Sequence, residues 1–139
     1  GEDHERVAVV LGNMASVLDD QGKGAEALAV WEKSLDILRR TLGSSDNGQV
    51  ATSLLNLGSS YRFQGMPDEA LARFEEGLGV VRRIHPERNV MEGKFLASIG
   101  NIYTEQGRLD DALAWYKKAH RIYRKTLGAE SAEVGRELG

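Results

Sequence analysis

The chain has 139 residues, 41% apolar and 28% charged, with a net charge of −3 and both signs interspersed. This is the composition of an ordinary folded domain rather than a disordered one, and the mixed charge argues against the basic stripe of a nucleic-acid-binding surface. The absence of cysteine excludes disulfides and thiol nucleophiles, and no apolar run approaches the roughly 20 residues of a membrane span.

The opening stretch, GEDHERVAVV, lacks a signal-peptide layout, and a cytoplasmic location is expected. Helical spacing of Leu11, Met14 and Leu18 predicts a first helix near 5–21, with the small Ala15 beside that stripe. Gly22 is placed to end it in the left-handed conformation. A second helix is expected near 24–42, carrying Ala27, Trp31 and Ser34. It has Glu26 at its start and Arg39-Arg40 at its end, where each complements the helix dipole. Thr41-Leu42-Gly43 closes it.

The pattern then recurs. Leu54, Leu57 and Tyr61 with the small Gly58 predict a helix near 48–64, ended by Gly65. Ala70, Phe74 and Gly77 predict another near 68–84, running from Asp68-Glu69 to Arg82-Arg83 and finishing at Ile84-His85-Pro86. A third pair follows near 90–106 and 110–127. Leu96, Ile99, Gly100 and Tyr103 lie in the first helix, before Gly107. Ala112, Tyr116 and Ala119 lie in the second, with Thr126-Leu127-Gly128 as its expected close. The turn glycines Gly22, Gly65 and Gly107 stand 43 and 42 residues apart, and the flanking stretches align without gaps. Repetition in several columns at once is the mark of stacked helix pairs. Only two prolines, Pro67 and Pro86, interrupt the chain.

Residues 1–139 are therefore expected to form a single all-α domain of units near 5–43, 48–86 and 90–128, with 129–139 starting a further helix. In that tail Val134 and Leu138 take the register of Val7 and Leu11. With no complete fourth pair and no polar capping helix, the chain is expected to be a fragment of a longer array.

The small-residue columns, the aromatic residue after each EAL-type stretch and the turn glycines resemble the tetratricopeptide repeat family across nearly the whole chain. The long period and the TLG…EAL wording are similar to the repeats of kinesin light chains. Leucine (Leu11, Leu54, Leu96) stands where the family usually has tryptophan. The resemblance implies an α-α superhelix, a right-handed solenoid whose first helices line a concave groove that holds a peptide or a helix of a protein partner.

Positions opposite the packing stripe are the expected groove residues: Val9, Gly12, Asn13, Ser16, Asp19 and Asp20 in unit one. They are Thr52, Leu55, Asn56, Ser59, Arg62 and Phe63 in unit two, and Lys94, Ala97, Ser98, Asn101, Thr104 and Glu105 in unit three. Asn13 and Asn56 share a column where the family often places an asparagine that holds a partner's backbone. Its amide both donates and accepts, so it pairs with any peptide unit. The candidate binding set is Asn13, Ser16, Asp20, Asn56, Ser59, Arg62, Phe63, Lys94, Ser98, Asn101 and Glu105. A solvated helix face is the simpler alternative for all of them. Phe63 is either an anchor for an apolar group or folded over the loop. Lys94 alone matches the basic clamp of chaperone-binding members, since Gly12 and Ser98 stand where cations would be needed.

No enzymatic constellation is legible. His4, His85 and His120 are scattered, with no H-x-x-x-H pair for a metal, and His120, in the column of Leu35 and Leu78, is expected to be a partly buried structural residue. The pairs Asp19-Asp20, Glu75-Glu76 and Asp110-Asp111 lie at helix ends or on outer faces. Gly22-Lys23-Gly24 lacks the glycine spacing and the Ser or Thr of a phosphate loop. The expectation is a binding protein that is not an enzyme, with no cofactor or metal and no nucleic-acid or membrane partner. The alternative is an array that self-associates through uncapped ends or stacks on a neighbouring domain.

Overall fold

The computed structural model describes the backbone of residues 2–43, 46–85 and 89–138, and the side chains of 3–43, 46–85 and 89–127. Among the described residues six helices follow one another: α1 (Glu2–Asp20), α2 (Gly24–Leu42), α3 (Gly48–Phe63), α4 (Pro67–Ile84), α5 (Val90–Glu105) and α6 (Leu109–Leu138). Each odd helix pairs with the even helix after it, and each even helix packs on the next odd one. The result is an all-α helical repeat solenoid, with no strand among the described residues.

The three turn glycines behave as one device. Gly22, Gly65 and Gly107 adopt φ of 78°, 74° and 77°, a region that disfavours any side chain. In each turn the amide after the glycine donates to a carbonyl five residues back: Lys23 to Leu18, Met66 to Tyr61, and Arg108 to Tyr103, at 2.8–2.9 Å. These bonds satisfy carbonyls that the ending helix leaves open. Gly43 closes α2 at φ 68°, as expected. Gly128 closes nothing, because α6 runs on to Leu138 and the tail continues the last helix instead of starting another. Pro86 and the side chains of Val134 and Leu138 lie outside the described residues.

The small columns let aromatic rings enter. A β-carbon on Gly58 would lie 2.5 Å from the Phe74 ring, and one on Gly100 would lie 2.7 Å from that of Tyr116. Ala15, fully buried, holds the matching place in unit one. Phe74 and Phe95, both buried, meet edge-to-face at 6.5 Å and join unit two to unit three. Asparagine caps repeat as well: Asn47 Oδ1 accepts from the Val50 amide and Asn89 Oδ1 from the Glu92 amide, each fixing the start of its helix.

Units one and two are also held by a polar clasp. The Tyr61 hydroxyl donates to Glu32 at 2.7 Å, Arg73 bonds both Glu32 and Glu76, and Arg39 reaches Glu76. In unit three the registers of Tyr61 and Arg73 carry Tyr103 and Trp115, which stack at 6.3 Å. The bond to Glu32, and then burial, hold the Tyr61 hydroxyl above its ordinary pKa of about 10. A pKa raised by folding means stability present below about pH 10 and lost as pH climbs through the folded value. Thermal midpoints should therefore fall as pH rises above about 10, and less steeply in Tyr61→Phe. Half-buried Tyr123 shifts the same way, so the variant removes only part of the slope.

Candidate functional site

The first helices α1, α3 and α5 carry the expected groove residues, and the structure sorts them into open and engaged side chains. Asn13, Ser16, Asp20, Asn56 and Lys94 are exposed. Asn13 and Asn56 occupy equivalent registers of successive first helices, so two open amides repeat along one face. In α5 that register carries Ser98, and Asn101 stands one turn further on, where its Oδ1 accepts the Tyr116 hydroxyl at 2.5 Å and the side chain is half-buried. That bond fixes the orientation of the amide.

Arg62 and Glu105 come together across α3 and α5, with Nε to Oε1 at 2.5 Å. The Arg62 guanidinium also lies 5.7 Å from the Phe63 ring centroid. Phe63 itself is 75% exposed, so it does not fold onto the neighbouring pair. An aromatic ring in water, backed by a cation, is an available contact surface. Ser59 and Ser98 turn inward along their own helices, donating to the Leu55 and Lys94 carbonyls at 3.0 and 2.8 Å.

Several expected groove positions point elsewhere. Asp19 ties the first three helices together: its Oδ2 accepts from Trp31 Nε1 and its Oδ1 from the Ser60 hydroxyl, both at 3.1 Å. Gly12 faces α2, where a β-carbon would lie 3.3 Å from the Trp31 ring. Leu55 and Ala97 pack against the core. His120 is exposed, not partly buried: the next odd helix covers Leu35 and Leu78 in the same column, and among the described residues none lies over His120. Among the described residues, no group of three His, Asp or Glu is placed to hold a metal, and no helix is long and apolar enough to cross a membrane.

Sequence comparison agrees with this architecture: residues 3–83, and again 95–133, match tetratricopeptide repeat profiles. The chain belongs to the tetratricopeptide repeat family. Repeats of this family generally act as protein-interaction scaffolds and are typically non-enzymatic. No curated protein sequence matches the chain. Among solved structures, it resembles BtubC (BKLC) from P. vanneervenii with a TM-score of 0.81 and 23% identity, over 90% of this chain and 50% of that one. The chain thus spans about half the length of BtubC. It also resembles the N-terminal domain of stress-induced protein-1 (STI-1) from C. elegans, with a TM-score of 0.69 and 17% identity over 97% and 96% of the two chains. A third likeness is the tetratricopeptide repeat domain of Arabidopsis FLU, with a TM-score of 0.71 and 17% identity over 84% and 93%. At these identities the likeness carries the fold.

Proposed function

We propose that this tetratricopeptide repeat chain binds a peptide or a helix of a partner protein along the face formed by α1, α3 and α5. The observation that carries the reading is the repeated pair of open amides at Asn13 and Asn56 on adjacent first helices. Spaced one unit apart, they suit the backbone of a ligand lying across the helices and pair with it whatever its side chains. Arg62, Phe63, Lys94 and Glu105 supply charges of both signs and an apolar contact. This favours a partner with matching mixed character.

The test compares partner capture by wild type, Asn13→Ala/Asn56→Ala and Asn101→Ala, with circular dichroism confirming fold. Two lost hydrogen bonds of about 0.5–1.5 kcal/mol each predict a roughly 5- to 150-fold weaker complex for the double variant. Asn101→Ala should also release Tyr116, so its loss mixes binding with packing. A partner retained equally by wild type and the double variant rules out the asparagine face.

A second reading has its own observation. Val7, Val10, Met14 and Val17 on α1 are half-exposed, at 49–55%. The same registers in α3 and α5 (Val50, Ser53, Leu57, Ser60; Glu92, Phe95, Ile99, Ile102) are buried under the preceding even helix. This face is built for a helix, and self-association would cover it. Sedimentation should then show mass rising with concentration in wild type, and a monomer of unchanged thermal midpoint for Val10→Asp/Met14→Glu. A wild-type chain that stays monomeric at high concentration ends this reading.

A further inference from the structure

A cleft of about 230 Å3 opens where α4, α5 and α6 meet. Leu96 and Ile122, both buried, line it together with Arg82, Glu92, Lys118 and Arg121. Three cations thus share the cleft with one carboxylate, in a chain whose net charge is −3. Arg82, Lys118 and Arg121 are exposed, so solvent and solutes reach them. Glu92 is already engaged: it is buried, and its Oε2 accepts from Arg82 Nε at 3.0 Å. Lys118 Nζ lies 4.6 Å from the Trp115 ring centroid, and neither Lys118 nor Arg121 pairs with a carboxylate among the described residues.

The first joint shows how the same place is filled from within. Arg39 stands one unit before Arg82, and the next even helix brings Glu76 to it as an ion-pair partner. One unit later the register of Glu76 carries Lys118, that of Gly79 carries Arg121, and that of Val50 carries Glu92. The apolar lining is kept, since Leu54 and Val80 match Leu96 and Ile122 and all four are buried. The second cleft therefore keeps the arginine, loses the carboxylate that crosses between even helices, and gains two cations against one acid. Like charges gathered in this way repel one another, and an incoming anion relieves the repulsion.

We propose that this cleft takes a carboxylate side chain from an acidic segment of a partner protein, in the place that Glu76 fills at the first joint. Arg82 uses Nε on Glu92, and its terminal nitrogens suit a second carboxylate. Leu96 and Ile122 offer apolar surface to the methylenes of a glutamate. The Glu92 carboxylate in the wall disfavours a continuous polyanion, so a short acidic peptide fits better than a nucleic acid. Helical spacing sets Glu92 and Leu96 on the side of α5 opposite Lys94 and Ser98, so the cleft lies away from the groove face and stands apart from the groove reading.

The test titrates the isotope-labelled full chain with acetylated triglutamate amide at low salt, followed by amide NMR, with the triglutamine amide as control. The expected result is saturable shifts confined to the neighbourhood of Arg82, Leu96, Lys118 and Ile122, with a Kd on the order of 1 mM that weakens as salt is added. Lys118→Glu, at an exposed position, rebuilds the pairing of Arg39 with Glu76 and should weaken binding by about tenfold or more. Lys117→Glu makes the same charge change on the same helix but outside the cleft, and should keep binding within about twofold of wild type. Circular dichroism confirms the fold of both variants. Shifts that do not saturate, an equal response to triglutamine, or equal losses in the two variants overturn the proposal. So does tighter binding of inorganic phosphate or of a DNA oligomer of equal charge. No groove residue is altered and no partner protein is present, so failure here removes the cleft and leaves the asparagine face to the capture experiment.

Discussion

Phe74→Ala should destabilise the domain by about 3–5 kcal/mol, the usual loss for a fully buried phenylalanine. Phe74 does two jobs at once. Its ring lies against Gly58 within unit two, where a β-carbon would come within 2.5 Å, and it meets Phe95 edge-to-face across the joint to unit three. Truncation leaves a notch shaped for a ring, and glycine has no side chain with which to collapse into it. A domain of this size is stable by only about 5–15 kcal/mol, so the change removes a large share of the total. Urea unfolding measures it. The expected signature is a lower midpoint together with faster amide exchange in α5 than in α2, because the cavity opens at the second joint. A loss under 1 kcal/mol would mean that the helices close over the gap, and that the ring is not the keystone described here.

The second large effect reverses a familiar sign. Glycine-to-alanine inside a helix ordinarily gains about 1 kcal/mol of helix propensity. Gly77→Ala is expected to lose about 1–3 kcal/mol, because its β-carbon would lie 2.3 Å from two ring carbons of Phe95, which has no exposed side to retreat to. Gly79, two residues along the same helix, is the control. Its β-carbon would meet only the tip of the flexible Arg83 side chain at 3.3 Å, so Gly79→Ala should hold or raise stability. Opposite signs at the two positions, measured in one urea series, are the outcome expected. Phe95→Leu should take back part of the Gly77→Ala loss, and a double-mutant cycle reads that coupling directly. If Gly77→Ala is neutral or stabilising and shows no coupling to position 95, the tight joint is refuted.

The sequence announced the helix pairs because their grammar is local and occurs three times. Turn glycines, acidic starts, basic ends and the pairing of a small column with an aromatic can each be read within about 20 residues. The observed helix bounds fall within a few residues of those expected, apart from the extended C-terminal end of α6. What could not be read depended on neighbours. Met14 shares its column with Leu57 and Ile99, yet it is half-exposed because burial there comes from a preceding helix. His120 is open for the complementary reason at the other end. Asp19 reads as a polar outward residue, but only the folded chain brings Trp31 and Ser60 to its two oxygens. Asn101 and Tyr116 are 15 residues apart, and nothing in the spacing tells that the amide is already bonded. One local signal does mark the second joint: Phe95 stands in the column of Val10 and Ser53, a large change in size at a position between units.

The two joints also differ as springs. The first is bound by the charged clasp of Glu32, Arg73, Glu76 and Arg39; the second also carries ion pairs, Arg62–Glu105 and Arg82–Glu92, but is wedged in addition by the Phe95 ring against Gly77 and Phe74. Mobile ions weaken partly exposed ion pairs and leave a buried ring contact untouched. Raising ionic strength should therefore loosen the first joint more than the second, where the buried ring contact persists.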